Sequence, residues 1–311
     1  MNRSIRIMIF TAVLALAACQ PADAPPSPTA EPTRAAFTQG VGRLAFAARA
    51  GEDDVYDIFL LNLENGDLAQ LTEYAGPDIA PSLSQGGQQL AYASDAEGTY
   101  DLYRMDIESG SEIRLSDVQA NESEPDFSPD GTEILFQMDA YGDYDIFKME
   151  ADGGSQQRLT EADSNDTQAD WSPGGERIAF VSDRDGDFEI FLMGAGGGGL
   201  EQVTDNEAYD ANPAWSPDGN AIAFISRRGE RFQLYLLDLE SGEEEQLTDI
   251  PATVHSPVWS PDGAFIAFIA DEAGSSSIRV LEVETGEIFL LQEEYYEYAG
   301  LSWVSAAEET G

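Results

Sequence analysis

Every 44 residues along most of this chain the same apolar–polar segment returns. Its anchors are Leu83, Phe127, Trp171, Trp215, Trp259 and Trp303. The interval also links Ile134, Ile178, Ile222 and Ile266, and it carries Ile58 through Leu102, Ile146, Ile190 and Leu234 to Ile278. A third series runs from Leu71 through Leu115, Leu159, Val203 and Leu247 to Leu291. A period in the forties built from short strand-like runs marks the blades of a β-propeller. One such unit cannot bury both of its faces, so the units must stack into a ring.

Each repeat holds four strand candidates separated by turn signals. In the fourth, Ala169-Asp170-Trp171-Ser172 ends the first strand and Pro173-Gly174-Gly175 turns the chain. Arg177-Ile178-Ala179-Phe180-Val181-Ser182 is the second strand, and Glu189-Ile190-Phe191-Leu192-Met193 is the third. A glycine-rich turn then leads to Gln202-Val203-Thr204. Helical periodicity is absent from the repeat region. The first unit, from Arg43-Leu44-Ala45-Phe46, lacks a tryptophan-type strand ahead of it, and Leu301-Ser302-Trp303-Val304 lacks a unit behind it. Together they make one blade. The expectation is an all-β, six-bladed propeller of four-stranded antiparallel blades over residues 41–305, closed by the C-terminal strand in the first blade. Such closure leaves no open edge between the first and last blades. Residues 306–311 read as a disordered tail.

Ahead of the ring, Arg3 and Arg6 precede an apolar run from Ile7 to Leu16 and then Ala17-Ala18-Cys19. A basic start, a short apolar run and small residues describe a secretory signal over residues 1–18. The run is shorter than the ~20 residues a spanning helix needs. Pro21, Pro25, Pro26, Pro28 and Pro32 make residues 19–40 an extended, semi-rigid tether. Cys19 is the only cysteine, so disulfides contribute nothing to stability. Its place directly after the small residues resembles a bacterial lipobox, which implies cleavage before Cys19, lipidation there and attachment to the cell envelope. Gln20, rather than an aspartate, at the next position resembles outer-membrane sorting in Gram-negative bacteria.

The formal net charge is −44, from 59 acidic and 15 basic residues. Such a surface repels nucleic acid and favours basic partners. Because the excess is spread through every blade, adaptation to a salty medium accounts for it equally well.

Trp215-Ser216-Pro217-Asp218-Gly219 and Trp259-Ser260-Pro261-Asp262-Gly263 resemble the repeats of the TolB-type β-propeller family. Phe127-Ser128-Pro129-Asp130-Gly131 and the degenerate Leu83-Ser84-Gln85-Gly86-Gly87 do so too. The resemblance covers residues 41–305. It implies a monomeric propeller that serves as a binding platform.

Candidate chemistry is sparse. Acyl-transfer triads need a base, and His255 is the only histidine. Zinc sites draw on several His or Cys ligands, which the chain lacks. The Gly194-Ala195-Gly196-Gly197-Gly198-Gly199 run precedes a strand, not the helix that a dinucleotide fingerprint requires. Asp183-Arg184-Asp185-Gly186-Asp187 has the alternating oxygens of a calcium loop but also suits a tight turn.

Position is more informative. Five residues before the anchors stand Asp78, Glu122, Asp166, Asp210, Val254 and Tyr298, with Glu124 further along the same loop. In a four-stranded blade these lead-in loops share a face with the loops between second and third strands. The expectation is a rim of acids at the channel mouth, joined by Tyr74, Tyr209, His255, Tyr295, Tyr296 and Tyr298. Acids among aromatic rings suit a cationic ligand or a basic protein. Turn capping, repeated because the blade repeats, explains the same aspartates. No cofactor is expected beyond a Ca2+ or other cation at this face. The leading reading is a non-catalytic, lipid-anchored binding protein of the envelope or cell surface. Its rival is a hydrolase or lyase acting on extracellular polysaccharide or peptide with carboxylates at the mouth.

Overall fold

The computed structural model describes residues 42–306 except Asp53. The expected signal, Cys19, the tether and most of the tail lie outside the described residues. Six four-stranded sheets appear, all with antiparallel pairing between neighbours. In the first, Glu297–Val304 pairs with Arg43–Arg49, followed by Asp57–Asn62 and Leu68–Gln70. The ring closes as the repeat count requires. Inner strands Asp78–Leu83, Glu122–Phe127, Asp166–Trp171, Asp210–Trp215, Thr253–Trp259 and Glu297–Val304 begin the blades and pack side by side around the axis.

Interiors of the blades are apolar and repeat with the sequence. Phe46, Tyr92, Phe136, Phe180, Phe224 and Phe268 are each 0% exposed, at the centre of the second strand. Five of them lie against a ring of the third strand, with centroid separations of 5.7 Å for Phe46–Phe59 and 5.9 Å for Phe180–Phe191. Pairs at this spacing add about 0.5–1.5 kcal/mol beyond area burial. In the last blade Arg279 takes the third-strand position opposite Phe268.

The outer strand of the fourth blade is shorter than the expected Gln202-Val203-Thr204. Pairing stops after Glu201–Gln202, because the Thr204 hydroxyl accepts the Ile190 amide at 2.8 Å in place of a ladder partner. Thr72, Thr160 and Thr248 do the same for Ile58, Ile146 and Leu234. A buried threonine thus ends four of the blades.

The Ser-Pro-Asp-Gly turns are also self-sufficient. Ser216 Oγ donates to Asp218 at 2.6 Å and accepts the Ala221 amide at 3.0 Å, while Gly219 supplies a φ of 74°. That left-handed conformation is one that glycine adopts without steric cost.

Candidate functional site

A bulge shapes the centre of the ring. Ala80, Glu124, Gln168, Asn212, Ser256 and Gly300 occupy one repeat position and all have positive φ, between 47° and 58°. The ladder to the second strand shifts register there, as between Thr167 and Asp170. Proline follows at Pro81, Pro125, Pro213 and Pro257, where its missing N–H costs no ladder bond. The bulge residues and those after them line a central cavity of about 550 Å³.

That cavity is built at the end of the channel where the tight turns lie. Its wall takes in Pro129, Pro173, Pro217 and Pro261 but none of the first two residues of the inner strands. The rim reading is therefore corrected for four acids. Asp78, Glu122, Asp166 and Asp210 are 0% exposed and lie outside the channel wall. Asp166 accepts two bonds of 2.9 Å from Arg184, which the loop between its own second and third strands carries. Arg228 approaches Asp210 to 3.8 Å from the equivalent loop, and Asn206 Nδ2 donates to Asp210 at 2.7 Å. Glu122 accepts from Ser116 and, at 3.5 Å, from Gln156.

A second set of acids, at the start of the third strand, belongs to the same layer. Asp101, Asp145 and Glu189 are nearly fully buried, and Arg114 and Arg158 bind the first two at 2.8 and 2.7 Å. Carboxyls of neighbouring blades influence one another here, Asp101 with Glu122 and Glu189 with Asp210. Burial pushes Asp78 up to about 6, with the Ser94 and Thr72 hydroxyls pulling the other way. It pushes Glu122 and Glu189 up to about 7. Arginines tie these acids within single blades, while charge links Asp101 to Glu122 and Glu189 to Asp210 across neighbouring blades.

The tyrosines divide. Tyr298 is 1% exposed and packs edge-on to Phe46, so it belongs to the core. Tyr295 is half-buried against Phe59. Tyr74, Tyr209 and Tyr296 are exposed, Tyr209 over Phe188 and Phe232, Tyr296 under the Arg49 guanidinium. The Asp183 carboxylate of the calcium-like loop accepts from the Asn165 amide and side chain at 2.8 and 2.9 Å. Asp139 and Asn121 form the same turn one blade earlier. This loop is a turn. Among the described residues no group of three or more His, Cys, Asp or Glu is placed to hold a metal ion.

Glu124 is the one predicted acid that reaches the channel. It lies within the ring yet keeps an exposed surface, because the space it faces is open. Beside it the wall carries Asp126 and Asp170, which the sequence reading passed over. Each accepts the backbone amide of the next anchor, Trp171 to Asp126 at 3.1 Å and Trp215 to Asp170 at 2.7 Å. Ser302 and Ser82 do so for Leu83 and Phe127. Burial pushes Asp126 up to about 6 and raises Asp170 well above the carboxylate range, helped by the charge of Asp126. A belt of amides runs alongside. Gln168 Oε1 accepts the Asn212 amide at 2.9 Å, and Asn212 Oδ1 accepts the Ser256 amide at 3.2 Å. A proline one residue after four of the six bulges, at multiples of the 44-residue interval, was the available signal for this wall.

The only histidine is not isolated. His255 Nε2 lies 3.1 Å from Asp271 Oδ2 and Nδ1 lies 3.1 Å from Ser256 Oγ.

Comparison with known proteins agrees with this architecture. Residues 35–178 and 165–301 match the family model described as the TolB beta propeller domain. A search of curated proteins returned no match. Among solved structures, TolB from Acinetobacter baumannii superposes with a TM-score of 0.76 at 22% identity over 85% of this chain. The chain spans 66% of that protein. A putative TolB from Agrobacterium tumefaciens gives 0.67 at 20% identity, covering 84% of this chain and 98% of its own. An oligogalacturonate lyase in complex with manganese gives 0.59 at 18% identity, covering 83% and 75%. At such identities the likeness is one of fold, which the TolB structures share with a lyase. The family match spans nearly the whole ring, and the chain belongs to the TolB β-propeller domain family.

Proposed function

We propose that this propeller is an envelope binding protein, exported and held at the membrane through lipid on Cys19. Its recognition centre is the channel wall around Glu124, Asp126 and Asp170. The carrying observation is the 550 Å³ cavity in which these three carboxylates stand beside the amides of Gln168 and Asn212. A lysine or arginine side chain of a protein partner fits that chemistry, since buried carboxylates are stabilised by a paired cation. The exposed tyrosines Tyr209 and Tyr296 stand on the opposite face, where they offer a second, weaker contact surface. Attachment through Cys19 rests on the sequence alone.

Capture from envelope extract tests this reading. Glu124 has an exposed side chain, so Glu124→Lys should leave folding intact while placing a positive charge in the channel. Loss of captured partner with an unchanged melting curve supports channel recognition. Full retention moves recognition elsewhere on the ring.

A further inference from the structure

Blade six differs from the other five at the bulge. There the residue with positive φ is Ser256, and the residue before it is His255. Ser256 lines the central cavity, while His255 stands behind it and reaches Asp271 on the neighbouring strand Phe265–Glu272. The 3.1 Å contacts on both ring nitrogens place Oγ, imidazole and carboxylate in series. With Nε2–H donating to Asp271, Nδ1 is left as the acceptor for the Ser256 hydroxyl proton. Asp271 is held below the usual carboxylate range: burial pushes it up, but the bonds from His255 and Ser276 outweigh that. It therefore stays ionised as the acceptor for His255 Nε2–H.

Amide donors stand at the same wall. Asn212 spends its oxygen on the Ser256 amide and Gln168 spends its own on the Asn212 amide. That assignment turns both NH2 groups into donors with no partner among the described residues, along a cavity that also holds Ser256. Donors of this kind stabilise an oxyanion.

We propose that Ser256, with His255 as its base and Asp271 as a positioning residue, forms a nucleophilic site that takes small neutral or cationic carboxylic esters. Ser256 Oγ bonds to the carbonyl carbon while its proton passes to His255 Nδ1. The bond from that carbon to the leaving oxygen then breaks, and the leaving oxygen takes the proton from Nδ1. Water repeats the sequence on the acyl-serine, releasing the acid and restoring Ser256. Glu124, Asp126 and Asp170 in the same cavity disfavour anionic substrates. This goes beyond partner recognition, because a reactive serine is not needed for docking.

A fluorophosphonate probe tests the site, with the adduct located by mass spectrometry on the folded protein. One adduct is expected, on Ser256, and it should be absent from Ser256→Ala. His255→Gln should slow labelling by about 100-fold, the lower end of what a general base supplies. Asp271→Asn should slow it too, and Asp271→Glu should restore part of the rate, a pattern that a packing role would not produce. Melting curves on each variant establish that the ring is intact. No adduct on the folded parent, or labelling equal in His255→Gln, would overturn the proposal and make His255 and Asp271 a brace within the blade.

Discussion

Glu122 offers a sharp test of the acids between blades. Its side chain is fully buried, and burial pushes its carboxyl from an ordinary 4.5 up to about 7. The nearby Asp101 charge adds to the rise, while Ser116, Arg114 and Gln156 oppose it. A folded-state value above the unfolded one means that the native ring binds the proton more tightly. Stability from this group is then greatest below about pH 4.5 and is lost as pH rises to about 7. At about 1.4 kcal/mol per pH unit, the rise from 4.5 to about 7 means that the ionised carboxylate costs on the order of 3 kcal/mol above pH 7. Glu122→Gln keeps the shape and can still bond to Ser116 and Gln156, but it cannot ionise. It should raise stability at pH 8 by about 1–3 kcal/mol, which is several degrees in melting temperature for a ring of this size. At pH 5, where Glu122 is already protonated, parent and variant should melt together. Self-repulsion of the acidic surface also weakens the parent as pH rises, but it is nearly the same in both proteins, so their difference isolates the seam. The assay is calorimetry of both proteins from pH 5 to 8. A difference that does not depend on pH, or a variant less stable than its parent at pH 8, would refute the argument.

Other consequences follow from the same structure. Removing residues 299–311 takes away most of the strand that closes the first blade, together with buried Trp303. Loss of such a side chain alone costs about 3–5 kcal/mol, so thermal melts should fall sharply or show aggregation, and an unchanged melt would contradict the closure. Binding of a basic partner should strengthen as pH rises through about 6, the value to which burial pushes Asp126, because a cation favours the ionised pair. Titrations at pH 5 and pH 8 check the sign. Cys19→Ala should move the protein from the detergent phase to the aqueous phase, and equal partitioning of parent and variant would remove the lipid anchor from the account.

The ring was legible because its information is repeated. Anchors such as Trp171 and Trp215 recur at one interval, and an unpaired final strand ending in Trp303 leaves only one place to go. The acids were harder, for a physical reason. Asp166 opens a strand, and whether its carboxylate faces solvent or a seam depends on what the next hairpin brings over it. Here that is Arg184, 18 residues on, and Arg228 stands at the same interval from Asp210. An acid and an arginine at a fixed separation, repeated in two blades, carried the information. The channel wall was hidden differently. Asp126 and Asp170 read as polar positions beside an anchor, yet the bulge at Glu124 and Gln168 brings them round to accept the next blade's amide. Register shifts of this kind turn every later side chain in the strand.

Recognition at the tight-turn mouth of the channel is the central claim, and site-specific photo-crosslinking addresses it directly. One probe replaces Gln85, on the cavity wall at that mouth, and a second replaces Tyr296, exposed on the opposite face. Irradiation in living cells should yield a discrete protein adduct from position 85, diminished when Glu124→Lys is added. An adduct from position 296 alone, with none from position 85, would contradict the account and place the partner on the opposite face of the ring.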